Sequence, residues 1–323
     1  MDRVIITGGN GFIGKHLVEK FLTCKLLSLA VISNLHNIKD NFLSNKRFVE
    51  DSRLRFYTAD IRDEKAIKDI FVNEKADTCI HLAAKISVAD SIRNPDETME
   101  TNVKGTENVL EASYISKVKN FVFASSAAIY GDVRELPISE ESELKPLSPY
   151  GTSKMLAEQI VLNYNRLKKI QNTASLRIFN VYGNGNDSQN DVISRFAQRL
   201  SDGLSPIIYG DGNHTRDFVS VDDVTDSMLL SVKAMENEEN DIHSSTPVFN
   251  IGSGNGTSIN DIAKKMIALS GLELEPIYKK GNQESGVILH SYADITRAKN
   301  ILQFTAKKNL EQGLAEIINH ANF

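Results

Sequence analysis

The sequence predicts an α/β protein: a doubly wound parallel sheet with a smaller C-terminal α/β region. Three observations carry that reading. Short β-branched and apolar runs alternate with helical patterns as far as about residue 180. A glycine-rich turn joins the first run directly to the first helical stretch. Beyond that point the rhythm breaks, with turn signals clustered at 183–191, 209–215 and 251–258.

Taken in order, RVIITGG (3–9) reads as a strand. GFIGKHLVEKFLTC (11–24) reads as a helix because Phe12, Ile13, Leu17, Val18, Phe21 and Leu22 recur at helical spacing. SLAVISNL (28–35) and LRFYTAD (54–60) are the second and third strands. AIKDIFVNE (66–74) is a helix and DTCIHLAA (77–84) the fourth strand. A long helix is expected over roughly 96–117, with Asn102 and Gly105 inside it. NFVFASSAAIYG (120–131) is a fifth strand with its exit, and ASLRIFNVYG (174–183) a sixth. Between them lies a helix over 148–168, with Ser148 as its cap and Pro149 in its first turn. The strands are nearly continuous in apolar residues, as a sheet covered on both faces requires. ENEENDIHSS (236–245) is polar and acidic and reads as a solvated loop. With no repeat and no long linker, the second part is expected to pack on the first. The cleft between them would lie at the carboxyl ends of the strands.

Composition narrows the function. The chain has 323 residues, 41% hydrophobic and 24% charged, which fits an ordinary globular protein. Its 37 basic and 42 acidic side chains leave a net charge of −5. That balance argues against a nucleic-acid binder, since neutralising phosphates needs a basic face. A small phosphate-bearing ligand remains compatible. Cys24 and Cys79 both sit in apolar runs and read as buried thiols in a reducing compartment. No apolar run reaches the ~18 residues that span a bilayer. The N-terminal residues show no signal-peptide pattern, so the expected location is cytoplasmic, with no membrane partner. No metal site is expected.

Gly8, Gly11 and Gly14 follow a strand and open a helix whose first residues are Phe12 and Ile13. This is the context a dinucleotide-binding turn requires. Gly8 permits the tight turn, Gly11 lets a pyrophosphate approach the backbone, and Gly14 lets the helix pack on the sheet. The phosphates then meet free N–H groups at a helix N-terminus. The first half therefore reads as a Rossmann-type domain. About 20 residues on, an NAD enzyme usually carries a carboxylate for the adenosine ribose. Here that position reads Ser33-Asn34. Loss of the carboxylate removes repulsion against a 2′-phosphate, so NAD is expected and NADP stays open. His36 and Lys39 lie just beyond but decide little.

Tyr150 and Lys154 stand four apart at the start of a helix, on one face. A tyrosine titrating near 10 is a poor base at neutral pH. A neighbouring ammonium and a positive nicotinamide ring both favour the phenolate and are expected to lower its pKa toward the working range. Lys154 can also hold the ribose hydroxyls of a nicotinamide nucleotide. Ser126 closes the fifth strand, where its hydroxyl can hydrogen-bond an alcohol under oxidation. Ser125, one position away, should face the other side of the strand.

The motifs TGGNGFIG, DIRD, HLAA, SSAAIYG, YGTSK, RIFNVYG, RDFVSVDDV and VFNIGSG run in this order through nearly the whole chain. In this it resembles the extended short-chain dehydrogenases/reductases, in the NDP-sugar epimerase/dehydratase family, and most of all the UDP-glucose 4-epimerases. The resemblance implies that Ser126, Tyr150 and Lys154 are catalytic, and that NAD is held tightly and regenerated at each turnover. It also implies C4 epimerisation through a transient 4-keto sugar. Asp60 and Ile61 would contact adenine, the competing reading being an Asp that caps the helix near Asp63. Leu82, Ala83 and Ala84 would run beside the cofactor, which the resemblance also assigns to Asn102. His81 reads as a satisfied core histidine. Ala127 and Ala128 stand where dehydratases of the family place an Asp-Glu pair, which disfavours elimination.

On the substrate side the resemblance points to Ser87 and Asn180 for the sugar nucleotide, Arg216 for a phosphate and Tyr209 for the base. Ser291 falls where strict hexose epimerases carry a bulky tyrosine, so UDP-GlcNAc and UDP-GalNAc are expected to fit beside UDP-Glc and UDP-Gal. Glu284-Ser285-Gly286-Val287 replaces the family's R-P-G-D and removes two polar contacts to the nucleotide. The expected division is a cofactor domain over 1–180, with a return segment near 216–252, and a substrate-binding domain mainly over 181–323. A homodimer through the helices near 96–117 and 148–168 is implied. The rival enzyme reading is an NADP-linked net oxidoreductase. The rival from another class is a catalytically idle dinucleotide sensor, which retention of Ser126, Tyr150 and Lys154 argues against.

Overall fold

A computed structural model describes residues 1–34, 51–185, 191–240, 242, 246–280 and 288–320. Seven strands form the main sheet. They are β1 (Arg3–Thr7), β2 (Ser28–Ser33), β3 (Leu54–Thr58), β4 (Thr78–His81), β5 (Asn120–Ser126), β6 (Asn172–Ile178) and β10 (Val248–Ile251). All run parallel, in the order β10-β6-β5-β4-β1-β2-β3. This is the Rossmann-type architecture that the alternating pattern predicts.

Side-chain alternation along each strand splits the core into two layers. Val4 and Ile6 join Val122, Leu176 and Phe249 under α1 (Phe12–Leu22) and α8 (Val221–Glu236), through Leu17, Phe21, Val224 and Met228. Ile5, Ala30, Cys79 and Phe123 face the other way. They meet Ile67 and Phe71 of α2 (Glu64–Glu74), Val109 and Leu110 of α5 (Gly105–Ile115), and Ala157 and Val161 of α6 (Pro149–Arg166). Each fully buried Leu, Ile or Phe contributes about 1.5–3 kcal/mol of transfer free energy. β3 departs from the continuous apolar pattern: it is an edge strand and only partly buried.

A second, smaller lobe is built around β9 (Thr215–Ser220). β11 (Gly256–Ser258) pairs with it antiparallel, and β7 (Asn180–Tyr182) and β13 (His290–Ser291) pair with it in parallel. β8 (Ile207–Tyr209) and β12 (Ile277–Lys279) form a separate pair. Phe196 and Leu200 of α7 (Val192–Ser201), Ile262 and Met266 of α9 (Ile259–Ser270) and Leu314 of α10 (Leu310–His320) fill the core of this lobe.

Four expectations are corrected. The single sixth strand over 174–183 is two strands broken at Phe179. The Phe179 amide still donates to Ile251 O at 2.9 Å, closing the main sheet, and from Asn180 the chain pairs with Phe218 instead. The helix over 96–117 is α4 (Pro95–Met99), a π-helical turn at Glu100–Lys104, and α5. A short helix not anticipated from the sequence, α3 (Val88–Arg93), precedes it. Cys24 is only half-buried, and Cys79 alone is a core thiol. No helix among the described residues is long and apolar enough to cross a membrane.

Candidate active site

The site lies at the carboxyl ends of β1, β4 and β5. Gly8 has φ +71°, a conformation that favours glycine, and an added Cβ would sit 2.6 Å from the Ala83 backbone nitrogen. Gly11 caps α1 with no side-chain hydrogen bond, which leaves the first helical N–H groups for an anion. A Cβ on Gly14 would meet Gly8 O at 2.4 Å, so helix and turn pack backbone to backbone. Phe12 turns edge-on to His16, and Ile13 packs against the core under α1. Asn10 is 4% exposed, and both polar atoms of its side chain lack a hydrogen-bond partner among the described residues. A close-approach turn, an uncapped helix start and an orphaned buried amide together fit a bound dinucleotide.

A pocket of about 110 Å³ runs from Gly8 past Ser33, Asn34, Asp60 and Ile61 to Ala83 and Ala84. Ser33 ends β2 beside Thr58 and is almost fully buried. Asp60 accepts the Arg62 amide at 2.9 Å and ion-pairs with its guanidinium at 2.7 Å, which holds its carboxyl below the usual range. The helix cap is Asp63, which accepts from Ala66 N, so Asp60 remains on the cavity wall. The Ile61 side chain is buried in the core beneath Gly105. The Leu82 amide donates to Thr7 O at 3.1 Å, which ties the loop after β4 to β1. Asn102 accepts the Lys85 amide at 2.7 Å and donates to Lys85 O and Ser153 Oγ, both at 2.9 Å. Its side chain thus braces the loop behind the cavity.

Ser126 ends β5 and its Oγ accepts the Ala128 amide at 3.2 Å. Ser148 caps α6 by accepting from Gly151 N at 3.1 Å, with Pro149 in the first turn. That start delivers Tyr150, whose own amide donates to Ser91 Oγ at 3.1 Å. One turn on, Lys154 places its ammonium 4.3 Å from the centroid of the Phe123 ring. Burial pushes the Tyr150 phenol up, and a hydrogen bond with Ser126 is what pulls it down. Lys154 is itself lowered to about 7 by burial, against the raising charge of Glu158. Ser125 faces away from the cleft and donates to Glu158 Oε2 at 2.6 Å.

In the second lobe, Arg216 and Ser291 are register partners on β9 and β13. The Arg216 guanidinium donates to Thr215 O and Ile288 O at 2.8 Å, and burial lowers its pKa. Asn180 opens β7 exposed, and Tyr209 ends β8 half-exposed. Ser87 caps α3, accepting from Asp90 N at 3.1 Å. Glu284–Val287, His36 and Lys39 lie outside the described residues. Sequence reasoning missed Glu158, wholly buried, and its ion pair with Arg177 at 2.6 Å. Its spacing, four residues after Lys154 on the same helical face, was the available signal.

Residues 4–252 match the NAD dependent epimerase/dehydratase family. A Methanocaldococcus jannaschii protein is 37% identical over 324 residues, covering 98% of this chain and 97% of its own. The structure of a Thermotoga maritima UDP-glucose 4-epimerase with UDP-glucose superposes with a TM-score of 0.87 at 34% identity, covering 99% of this chain and 98% of that one. A UDP-N-acetylglucosamine 4-epimerase from Methanobrevibacter ruminantium, solved with UDP-N-acetylmuramic acid, gives 0.86 at 28% identity, covering 98% and 97%. The family match over residues 4–252, with the glycine turn Gly8–Gly14 opening onto the pocket beside Ser33 and Asp60, shows that the chain belongs to the NAD-dependent epimerase/dehydratase family and is an enzyme whose cofactor is NAD.

Proposed function

We propose that the protein epimerises C4 of a UDP-hexose, UDP-Glc/UDP-Gal together with UDP-GlcNAc/UDP-GalNAc, through a transient 4-keto sugar. The observation that carries this reading is the arrangement of Ser126, Tyr150 and Lys154, with methyl groups at Ala127 and Ala128 beside them. Tyr150 removes the proton from the C4 hydroxyl and later returns it. Ser126 hydrogen-bonds the same oxygen, and Lys154 supplies a fixed positive charge to the phenolate and to the nicotinamide ribose. NAD, held at the turn of Gly8, Gly11 and Gly14, would supply reversible hydride acceptance at C4, so that no net redox change would result. Without an acid–base pair at 127 and 128, the keto sugar has no elimination route and is returned to the alcohol. Arg216 faces the diphosphate with a permanently charged planar fork, Tyr209 the base, and Asn180 and Ser87 the sugar nucleotide. Ser291 leaves room at C2 for an N-acetyl group.

The test is made on purified protein without added cofactor. Bound dinucleotide is released and identified by mass, and the protein is incubated with UDP-Glc and UDP-GlcNAc. Copurifying NAD, C4 epimers of both sugars, and at least a roughly 100-fold loss in Tyr150→Phe without a change in melting are expected. Turnover of the plain hexose alone removes the N-acetyl assignment. Steady absorbance change at 340 nm with no epimer transfers the protein to net oxidoreduction.

A further inference from the structure

Lys154 is a costly charge to keep in this site. It is 4% exposed, and its nearest compensation is the Phe123 ring. A cation over an aromatic face recovers only part of the lost hydration. One turn further along α6 stands Glu158, 0% exposed. Glu158 Oε2 accepts from Ser125 Oγ, and Oε1 accepts from a terminal guanidinium nitrogen of Arg177, both at 2.6 Å. Arg177 also donates to the Tyr130 hydroxyl and to Glu140 O, each at 2.9 Å. Tyr130 passes its proton to Asn250 Oδ1 at 2.6 Å, and Asn250 donates to Ile138 O and Asp294 O. The network joins the catalytic helix to β5, β6, β10 and the segment that follows Ser291.

We propose that Glu158, with Arg177 behind it, is a positioning residue that keeps the Lys154 side chain charged and anchored at the site. A fold has no need of such a pair, because apolar side chains of similar volume in place of a buried ion pair often leave stability unchanged or raised. The order of charges is what gives it purpose. Lys154, Glu158 and Arg177 alternate plus, minus, plus, so Glu158 both attracts the ammonium and screens it from the guanidinium. Tyr150, Lys154 and Glu158 form one stripe of α6 at four-residue intervals. Among the described residues, the other groups recorded against the ammonium supply no balancing negative charge. His81 on β4 is neutral, and β5 brings the Phe123 ring. Burial lowers Lys154 and the Glu158 charge raises it, in agreement with the geometry.

The activity assay rests on the epimerase reading, so it is paired with a readout that does not. The NAD-bound wild type, Glu158→Gln, Glu158→Asp and the double variant Glu158→Gln/Arg177→Met are compared. The pH dependence of UDP-glucose epimerisation is followed, and Lys154 is titrated directly by NMR on 13C-lysine protein, assigned with Lys154→Met. Glu158→Gln leaves Arg177 unscreened and is expected to move both the alkaline limb and the Lys154 titration down by on the order of one pH unit. The double variant should recover at least half of that shift, and Glu158→Asp should titrate with wild type. Unmoved titrations in Glu158→Gln, or a double variant shifted as far as the single one, would overturn the proposal. If Glu158→Gln does not fold, the double variant must titrate below wild type and Glu158→Asp with it; equal titration of all three also overturns it. A wild type that epimerises nothing removes the functional reading, while the NMR titration still decides on Glu158.

Discussion

His81 sits in a chain of hydrogen bonds whose direction can be worked out. The Thr106 hydroxyl donates to Asn102 O at 2.6 Å, so it must accept from His81 Nε2 at 2.9 Å. Nδ1 is then the acceptor for the Thr7 hydroxyl at 2.6 Å, and Thr7 in turn accepts the Ala83 amide. A second proton on the ring has no acceptor in this arrangement. Burial first, and the Lys154 charge second, lower His81 to about 3. Because the folded value lies below the unfolded one, its stability is fully present above about pH 6.5 and is lost as pH falls toward 3. Between pH 7.5 and 5 the loss should be about 2 kcal/mol. Denaturant unfolding at pH 7.5 and 5 of wild type and His81→Gln checks it, since the difference between them isolates this group from the carboxylates. A pH dependence equal in both proteins would show that the ring is not the cause. At this scale the sequence was legible where spacing is local. Tyr150, Lys154 and the three glycines reveal themselves within a few residues. The partners of Arg177 and Asp217 come from segments tens of residues away and do not. Asp217, 0% exposed, accepts from Ser253 N at 2.7 Å, Gly254 N at 3.0 Å and Ala293 N at 3.1 Å.

The elements were read well where periodicity rules and poorly where one side chain overrides it. The run over 96–117 has helical spacing throughout, yet its middle opens into a π turn. There Asn102 leaves the helical face to hold both backbone groups of Lys85, and Gly105 lies directly on Ile61. Such widenings recur at functional sites, and no periodicity count detects them. The break at Phe179 is similar: apolar content continues while the pairing partner changes from β10 to β9. Helix α1 was fully legible because its glycines announce how closely it sits. Gly14→Ala tests that closeness. The new methyl would meet Gly8 O at 2.4 Å and Gly9 Cα at 2.6 Å, both backbone, so the turn itself must move. The expected result is about 1–3 kcal/mol of lost stability and a sharp fall in copurifying NAD. Thermal melting together with quantitation of released dinucleotide measures both. Full NAD occupancy in the variant would mean that the turn tolerates the shift.

For the whole molecule, the net charge and composition restricted the class but not the assembly. Tyr114 and Ile115 on α5 and Leu156 on α6 are 45%, 41% and 41% exposed, on the two helices where a homodimer is expected. A homodimer through these two helices would cover such side chains. Light scattering should give twice the chain mass, and Leu156→Asp should halve it without loss of secondary structure. A monomer at tens of micromolar would exclude this contact. The smaller second lobe was foreseeable from the broken rhythm after residue 180. The way it is tied together was not, because one buried carboxylate, Asp217 of β9, holds backbone amides of both the turn after β10 and the segment at Ala293.

The place of β10 beside β6 has a consequence for the nascent chain. β6 ends at Ile178, but the strand that covers its outer edge is Val248–Ile251. At the usual pace of synthesis of about 5–20 residues per second, roughly 70 residues separate the two, and the interval is several seconds. Throughout it the buried apolar strand Asn172–Ile178 presents an unpaired edge, the kind of surface that recruits other chains. Slowing translation downstream of codon 178 should therefore lower the soluble yield, whereas the same pause placed after codon 251 should not.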